Sequence, residues 1–290
     1  MESISLFVNA LASGLLLGAF YAAIACGLAI AFGILDIPNI AHPTVIVAAA
    51  LFVSTLNSYG IDPLLAGILL APPFFLAGII FYKGYQLVFE ARGAPDPLRS
   101  ISLFFGVALL VEVSLAIGYG VDLRGVTAPY IGRSLVLGDI RLPYRMIIAF
   151  AGASAMLFGL HQLLMRTTTG RAIRAAGVDR QALRLVAIDP ERICRIAFGV
   201  ATCTAAIAGA LLIIVGPVEP ANSRMYIGRA LAIVVLAGMG SINGTFLAAL
   251  LVGLTESFVL FFLGASWAPA VSFALVLVVL AIRPQGIFRR

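Results

Sequence analysis

The chain has 290 residues, of which 62% are hydrophobic and 11% are charged. An ordinary soluble domain carries about 25% charged residues, so this chain lacks the polar surface that a soluble globule needs. The formal charge of +6 comes almost entirely from arginines scattered between apolar runs, with no basic patch interleaved with aromatic residues. The composition therefore predicts an integral membrane protein with lipid as its surroundings and no nucleic-acid partner.

Runs with few or no charges recur at 3–35, 37–61, 63–82, 100–121, 146–165, 196–218 and 230–282. A hydrocarbon core about 30 Å thick needs roughly 20 apolar residues for each helical crossing, so the last run has the length for two crossings. Backbone polar groups in lipid must be hydrogen-bonded within the segment, and the runs lack the alternation of barrel strands. They predict an all-α integral membrane protein with about eight transmembrane helices plus one short or broken helix at 227–237.

Most of the basic residues fall in three segments, at 83–100, at 166–195 and in the tail from residue 283. Because basic residues concentrate in the cytoplasmic loops of membrane proteins, we expect these segments to face the cytoplasm. Segment 120–145 then lies outside, and its alternating apolar residues predict a small hairpin. This orientation places the N-terminus outside.

A short pattern of glycine, acid and asparagine occurs twice, with a constant spacing along the chain. The first copy follows the first apolar run and the second follows the sixth: Gly33, Asp36 and Asn39, then Gly216, Glu219 and Asn222. On the orientation above, the copies run in opposite directions through the membrane, which predicts an inverted repeat with halves 1–121 and 196–283. A helix at 143–165 and the loop 166–195 would link these halves within a single transmembrane domain. Such residues also make ordinary turns, so chance recurrence stays open.

Two acids are predicted at membrane depth, Glu112 and Glu256. An ionised carboxylate at a helix centre costs roughly 2.5–3.5 kcal/mol on insertion scales, so each should face a partner or a water-filled cavity. Both are therefore candidates for a solute pathway, and the alternative is that one or both are protonated or pair with Ser, Thr or backbone groups between helices. Further pathway candidates come from the two repeated breaks, from a helix start and from a glycine-rich stretch: Asp36, Asn39, His42, Glu219, Asn222, Gly238, Gly240 and Ser241.

Motifs of catalysis are missing from the sequence. It has no GxSxG, no GxxxxGK[ST] and no HExxH, and its two histidines and three cysteines lack ligand spacing. We therefore expect no catalytic residue, no metal site, no bound cofactor and no ATPase site in this chain. This disfavours a membrane enzyme.

The segment 166–195 differs from the other loops because it is long, basic and partly apolar. Asp179 suits the N-cap of a helix predicted at 180–188, with Leu183 and Val186 on one apolar side. A short amphipathic helix between two spans is shaped to dock into a partner's groove, and a helix lying on lipid headgroups is the alternative. The residues expected to make this contact are Gly170, Arg171, Arg174, Asp179, Arg180, Leu183, Arg184 and Val186.

Four stretches carry a resemblance to a known family: GLLLGAFYAAIACGLAIAFGILDIPNIAH (14–42), TTTGRAIRAAGVDRQALRLVAID (167–189), VLAGMGSINGTFLAALLVGLTES (235–257) and RPQGIF (283–288). In this order they resemble the LivH-type permease of bacterial high-affinity branched-chain amino acid ABC importers. The resemblance implies a multi-pass protein of the bacterial plasma (inner) membrane. Its implied partners are a LivM-like second permease, two ABC ATPase subunits that bind the ATP, and a periplasmic substrate-binding protein. Segment 166–195 would couple to the ATPases.

The leading hypothesis is a permease subunit that forms half of a translocation pathway for branched-chain or related amino acids. A stand-alone secondary transporter or channel for a small polar solute is the alternative, since an inverted repeat would also permit it. Dependence on ATP distinguishes the two. Departures from the family pattern at Pro43 and Asn243 leave open which amino acid, amide, urea or related solute is carried.

Overall fold

A computed structural model describes residues 2–89, 97–137, 140–238, 240–283 and 286–287. Over these residues the α-helices are α1 (Glu2–Leu35), α2 (His42–Ser58), α3 (Pro63–Val88), α4 (Pro97–Tyr119), α5 (Tyr144–Arg166), α6 (Thr168–Ala176), α7 (Arg180–Leu185), α8 (Pro190–Val215), α9 (Ser223–Ala237), α10 (Ile242–Phe262) and α11 (Ala268–Ile282). A 3-10 helix at Pro220–Asn222 precedes α9. Two strands, β1 (Ser134–Leu137) and β2 (Ile140–Pro143), pair antiparallel between α4 and α5.

Six of these helices are long and apolar enough to cross a membrane: α1, α3, α4, α5, α8 and α10. The prediction of an all-α membrane protein is therefore confirmed. The predicted number of eight transmembrane helices is not, because α2 and α11 have only 17 and 15 residues. The short helix predicted at 227–237 is present as α9, which begins at Ser223.

The centre of the bundle is formed by α1 and α8, each with 78% of its most apolar stretch buried, against 11% for α4. Glycines allow the closest packing on both central helices. A Cβ on Gly18 would lie 2.7 Å from Leu250 Cα of α10, and a Cβ on Gly78 of α3 would lie 3.0 Å from Gly199 Cα of α8. The peripheral helices α3, α4 and α11 leave long apolar faces exposed.

The bundle has two ends that carry different structures. One end, called here the hairpin end, holds β1 and β2. At this end the Asn57 side chain links α2 to the loop before β1, because it accepts a hydrogen bond from Thr127 N (2.8 Å). At the same end Asp62 caps α3 and accepts a hydrogen bond from Tyr130 Oη (3.3 Å). Burial and this carboxylate raise the pKa of Tyr130. The opposite end, called the α6–α7 end, holds the two short helices of the basic segment.

The helix predicted at 180–188 is wrong in its second half. Ile188 N donates to Leu183 O (3.0 Å), which closes α7 at Leu185, and Ala187 turns into a left-handed conformation with φ 57°. Leu183 is therefore 4% exposed whereas Val186 is 64% exposed, so these residues do not share a face. The turn has a physical reason, because it brings Asp189 to the N-cap of α8, where its carboxylate accepts from Glu191 N (2.9 Å).

Candidate functional site

Two breaks interrupt the bundle, one at each end. The first follows α1 at the α6–α7 end, where Arg180 Nη2 donates to Leu35 O (2.5 Å). Asp36 continues the chain at φ 54°, a left-handed conformation that an aspartate tolerates better than most residues, and its side chain is exposed. The residues after it form turns, with Asn39 N donating to Ile37 O (2.8 Å), and α2 begins at His42 with Pro43 in its first turn.

The polar residues of the first break are buried. Asn39 is 5% exposed and His42 is 2% exposed, and within the described residues neither Asn39 Oδ1 nor His42 Nε2 has a hydrogen-bond partner. The imidazole sits over Gly27 of α1, where a Cβ would collide with the ring and with Thr204 Oγ1 of α8. His42 therefore lies at the junction of α1, α2 and α8 and has no exposure to a solute in this conformation.

The second break follows α8 and lies toward the hairpin end, where Val218 pairs with Arg124. Glu219 N donates to Asn222 Oδ1 (3.2 Å), and Asn222 Nδ2 donates back to Glu219 Oε1 (3.3 Å). These reciprocal bonds form a capping box that fixes the 3-10 turn before α9. The acid and the asparagine of this break therefore bind each other, whereas among the described residues no hydrogen bond joins the side chains of Asp36 and Asn39 in the first break.

Glu112 of α4 is held by residues at the start of α9. Arg224 Nη2 donates to Glu112 Oε1 (2.6 Å), and Ser223 Oγ donates to Glu112 Oε2 (3.3 Å). The Glu112 side chain is 13% exposed, whereas that of Arg224 is 73% exposed. This pair joins the peripheral helix α4 to the start of α9 and presents a guanidinium on the surface of the bundle.

Glu256 of α10 has a different environment, because its ion pair is buried. Arg229 Nη2 of α9 lies 2.8 Å from Glu256 Oε1, and the two side chains are 11% and 7% exposed. The Arg229 guanidinium also lies over the Tyr21 ring of α1, 5.6 Å from its centroid. Charge is thus neutralised within the interface of α1, α9 and α10.

Sequence reasoning identified both acids but missed both arginines. A carboxylate at membrane depth requires a cation or water, and the sequence places Arg224 and Arg229 directly after the second break. The need of each carboxylate for a cation could therefore have pointed to these two arginines. Both acids pair with an arginine of α9, whereas the alternative expected Ser, Thr or backbone partners, of which Ser223 on Glu112 is an example.

The glycine-rich stretch between α9 and α10 packs against the first break. Gly238 and Gly240 adopt φ 86° and 91°, and a Cβ on Gly240 would lie 3.1 Å from Gly33 O at the end of α1. Ser241 caps α10 by accepting from Gly244 N (3.0 Å). These three predicted residues therefore border the first break and lie away from the pair formed by Glu112 and Arg224.

The basic segment 166–195 is attached to the bundle at the α6–α7 end. Thr167 caps α6, Asp179 caps α7, and Arg174 Nε donates to Leu164 O (3.0 Å). A Cβ on Gly170 would lie 2.5 Å from Leu164 Cα, so only glycine permits this approach of α6 to α5. Arg171, Arg184 and Val186 are exposed.

This segment and the first break share a pocket of about 250 Å³, lined by Leu35, Asp36, Ile37, Ala176, Gly177, Val178 and Arg180. The same segment exposes three apolar side chains, Val178 of the pocket lining (89%) and Leu185 (88%) and Val186 (64%) at the end of α7. We call Val178, Leu185 and Val186 the apolar patch. The apolar surface that segment 166–195 exposes therefore includes this patch, and Leu183 belongs to the interior.

An apolar bundle with six helices of spanning length is a multi-pass membrane protein, and helix breaks with a buried charge pair are features typical of transporters. A family model described as "Branched-chain amino acid transport system / permease component" matches residues 10–280, and the chain belongs to this family. The resemblance found in the sequence motifs is thereby confirmed.

Named relatives match along most or all of their length. The chain is 29% identical over 306 residues to the high-affinity branched-chain amino acid transport system permease protein BraD of Pseudomonas aeruginosa, covering 100% of this chain and 98% of BraD. It is 28% identical over 305 residues to LivH of Escherichia coli K12, covering 100% and 97%. A probable LivH of Methanocaldococcus jannaschii is 22% identical over 273 residues, covering 91% and 87%.

A solved structure shares the fold. It is titled "PsaBC from Streptococcus pneumoniae in complex with Fab", and it matches with a TM-score of 0.50 and 12% identity over 96% of this chain and 92% of that chain. The chain is accordingly a permease component of an ABC-type transport system, which acts with other components. A stand-alone transporter or channel is not favoured.

Proposed function

We propose that this chain forms half of a translocation pathway for branched-chain or related amino acids across a bacterial plasma (inner) membrane. The observation that carries the substrate class is the full-length similarity to relatives that are named for branched-chain amino acid transport. The position of polar groups supports a pathway, because Asp36, Glu112 and Arg224 are charged groups at or beside helix breaks within an apolar bundle. Charges in such places need water or a partner.

The proposed assembly contains a LivM-like second permease, two ABC ATPase subunits that bind the ATP, and a periplasmic binding protein that delivers the solute. The sequence of this chain has no glycine-rich nucleotide loop with GK[ST], so energy must reach it through a contact. The exposed apolar face of α4 offers area for a second permease, since Leu110 and Ile117 are 71% and 83% exposed.

The apolar patch at the α6–α7 end is the proposed contact for an ATPase. This end carries exposed Arg171 and Arg184, which suits the cytoplasmic side of a membrane protein. The segment is rigidly linked to the pathway, because Arg180 bonds Leu35 O and shares the pocket with Asp36. A displacement of the apolar patch by an ATPase would therefore be transmitted to the first break at the end of α1.

Replacing Leu185 and Val186 with aspartate tests this contact. Both side chains are exposed, so the variant should insert and fold normally, while two charges would be buried without partners at the ATPase contact. We expect at least a tenfold loss of co-purified ATPase subunits and a matching loss of uptake. The measurement is co-purification with a tagged permease, together with uptake in membrane vesicles.

The matched control is Leu123→Asp with Val136→Asp, which changes two exposed apolar residues near the hairpin end, 63% and 58% exposed. This variant should keep its ATPases. If the Leu185/Val186 variant co-purifies ATPases and transports at the parental rate, the assignment of the patch is wrong. Leu183→Asp is unsuitable for this purpose, since a buried charge would destabilise the chain itself.

The inverted repeat remains a prediction, and the helix packing supports it. After α1 come a break, α2, α3 and α4, and after α8 come a break, α9, α10 and α11. The packing between the halves also corresponds. α1 packs antiparallel to α10, and α8, the counterpart of α1, packs antiparallel to α3, the counterpart of α10. We propose that the two halves tilt against each other, so that the breaks open in turn to either side.

A further inference from the structure

We propose that Arg224 and Glu112 together bind the zwitterionic backbone of an α-amino acid in the half of the pathway nearest the hairpin end. The inference rests on the proposed function, since it requires a solute that passes along this face of the bundle. It assigns both charges of the solute to one ion pair, and it adds a residue that the sequence pattern did not identify.

The depth of the pair argues that its surroundings are polar. Glu112 lies about 10 Å along the helix axis before Tyr119 at the end of α4, taking 1.5 Å for each residue. A hydrocarbon core of about 30 Å then places the pair well below the membrane surface. Its neighbours on α4, Leu109 and Val113, are apolar and 42% and 55% exposed. These two side chains therefore give the pair no polar surroundings.

The exposure of the pair is asymmetric, and this asymmetry indicates a ligand. The Arg224 side chain is 73% exposed although it is a full cation at the second residue of α9, and a cation within the membrane needs water or a charged partner. Glu112 alone neutralises only one edge of the guanidinium, through Nη2. The exposed edge must therefore face water, as expected for a solute pathway between this chain and a second permease.

The chemistry of the two groups matches a zwitterion. A guanidinium presents five N–H donors in a planar fork, so the exposed edge can take a carboxylate in a bidentate geometry. Glu112 accepts from Arg224 and from Ser223, and a carboxylate has about four lone-pair positions, which leaves acceptor capacity for an ammonium group. Neighbouring apolar residues, Met225 (54% exposed) among them, would contact an aliphatic side chain.

The other polar groups of the bundle fit this role less well. Arg229 and Glu256 are 11% and 7% exposed, so a solute cannot reach their pair in this conformation, although Glu256 Oε2 has no hydrogen-bond partner among the described residues. Asn39 and His42 are 5% and 2% exposed at the junction of α1, α2 and α8. A solute that enters from the hairpin end therefore meets Arg224 before any of these groups.

The test uses the complete importer in proteoliposomes, with ATP inside and leucine-loaded binding protein outside. Arg224→Gln removes the cation and keeps a hydrogen-bonding side chain. We expect leucine carried for each ATP hydrolysed to fall at least tenfold, while the ATPase rate changes less than twofold. Arg224→Lys keeps a charge without the fork and should give an intermediate ratio. Arg133→Gln, at an exposed arginine near the hairpin, is the control and should leave the ratio unchanged.

A charge exchange, Glu112→Arg with Arg224→Glu, separates binding from a structural tie. It keeps an ion pair between α4 and α9, so we expect assembly to survive while transport stays low, because the cation has moved to the side that is 13% exposed. Parental transport by the exchange variant or by Arg224→Gln would overturn the inference. So would failure of both the Gln and the Lys variants to assemble, which would identify an interface anchor. A parental complex that does not carry leucine with ATP would instead count against the proposed function.

Discussion

Replacing Glu256 with leucine should lower the free energy of unfolding by about 3–5 kcal/mol, because it leaves the Arg229 guanidinium buried without its anion. The effect is large since both side chains are sealed within the interface of α1, α9 and α10. The change would be measured as the shift in the denaturation midpoint of the purified permease in detergent. A double replacement, Glu256→Leu with Arg229→Met, should recover most of the loss because no unpaired charge remains.

The control for this prediction is Glu191→Gln, which breaks an exposed pair with Arg195 (3.6 Å, side chains 58% and 28% exposed). Exposed pairs contribute at most about 1 kcal/mol, so the control should hardly move the midpoint. If the double variant is as unstable as Glu256→Leu alone, the loss comes from packing and the account of the ion pair fails.

Replacing Gly253 with valine should destabilise the bundle by about 3 kcal/mol and abolish uptake, because it forces α10 away from α1. A Cβ at this position would collide with Gly18 backbone atoms and lie 2.8 Å from Gly14 O. Backbone atoms cannot move aside as the end of a flexible side chain can. Uptake and the denaturation midpoint are the measurements.

Gly106→Val provides the comparison for this substitution, because a Cβ at Gly106 of α4 meets nothing within 4 Å in this chain. Its stability in the isolated permease should stay close to the parental value. Equal losses at Gly253 and Gly106 would show that the damage comes from valine in a helix and not from the contact between α1 and α10.

The helices were predictable because lipid leaves the backbone few choices. A segment in hydrocarbon must satisfy its own hydrogen bonds, so an apolar run of sufficient length predicts a helix. The run at 37–61 shows the limit. Residues 37–41 belong to the apolar run but lie outside α2, which begins at His42, where the sequence indicates a helix start beside Pro43. An apolar run therefore predicts that a helix is present more reliably than it predicts the first residue of that helix.

The partners of the charged residues were not predictable from local patterns. Glu112 and Arg224 are far apart in sequence, and only the packing of α4 against the start of α9 brings them to 2.6 Å. The amphipathic reading of 180–188 failed for a similar reason. Whether Val186 shares a face with Leu183 depends on the turn at Ala187, which the cap of α8 sets and a helical period does not describe.

Uptake of labelled leucine into proteoliposomes tests the central claim most directly, with this chain reconstituted either alone or with the second permease, the ATPases and the binding protein. We expect accumulation only in the complete assembly with ATP inside, and none when the ATPases carry a substitution that prevents hydrolysis. Accumulation by this chain alone, or by the complete assembly without ATP, would contradict the assignment as a permease component driven by separate ATPase subunits.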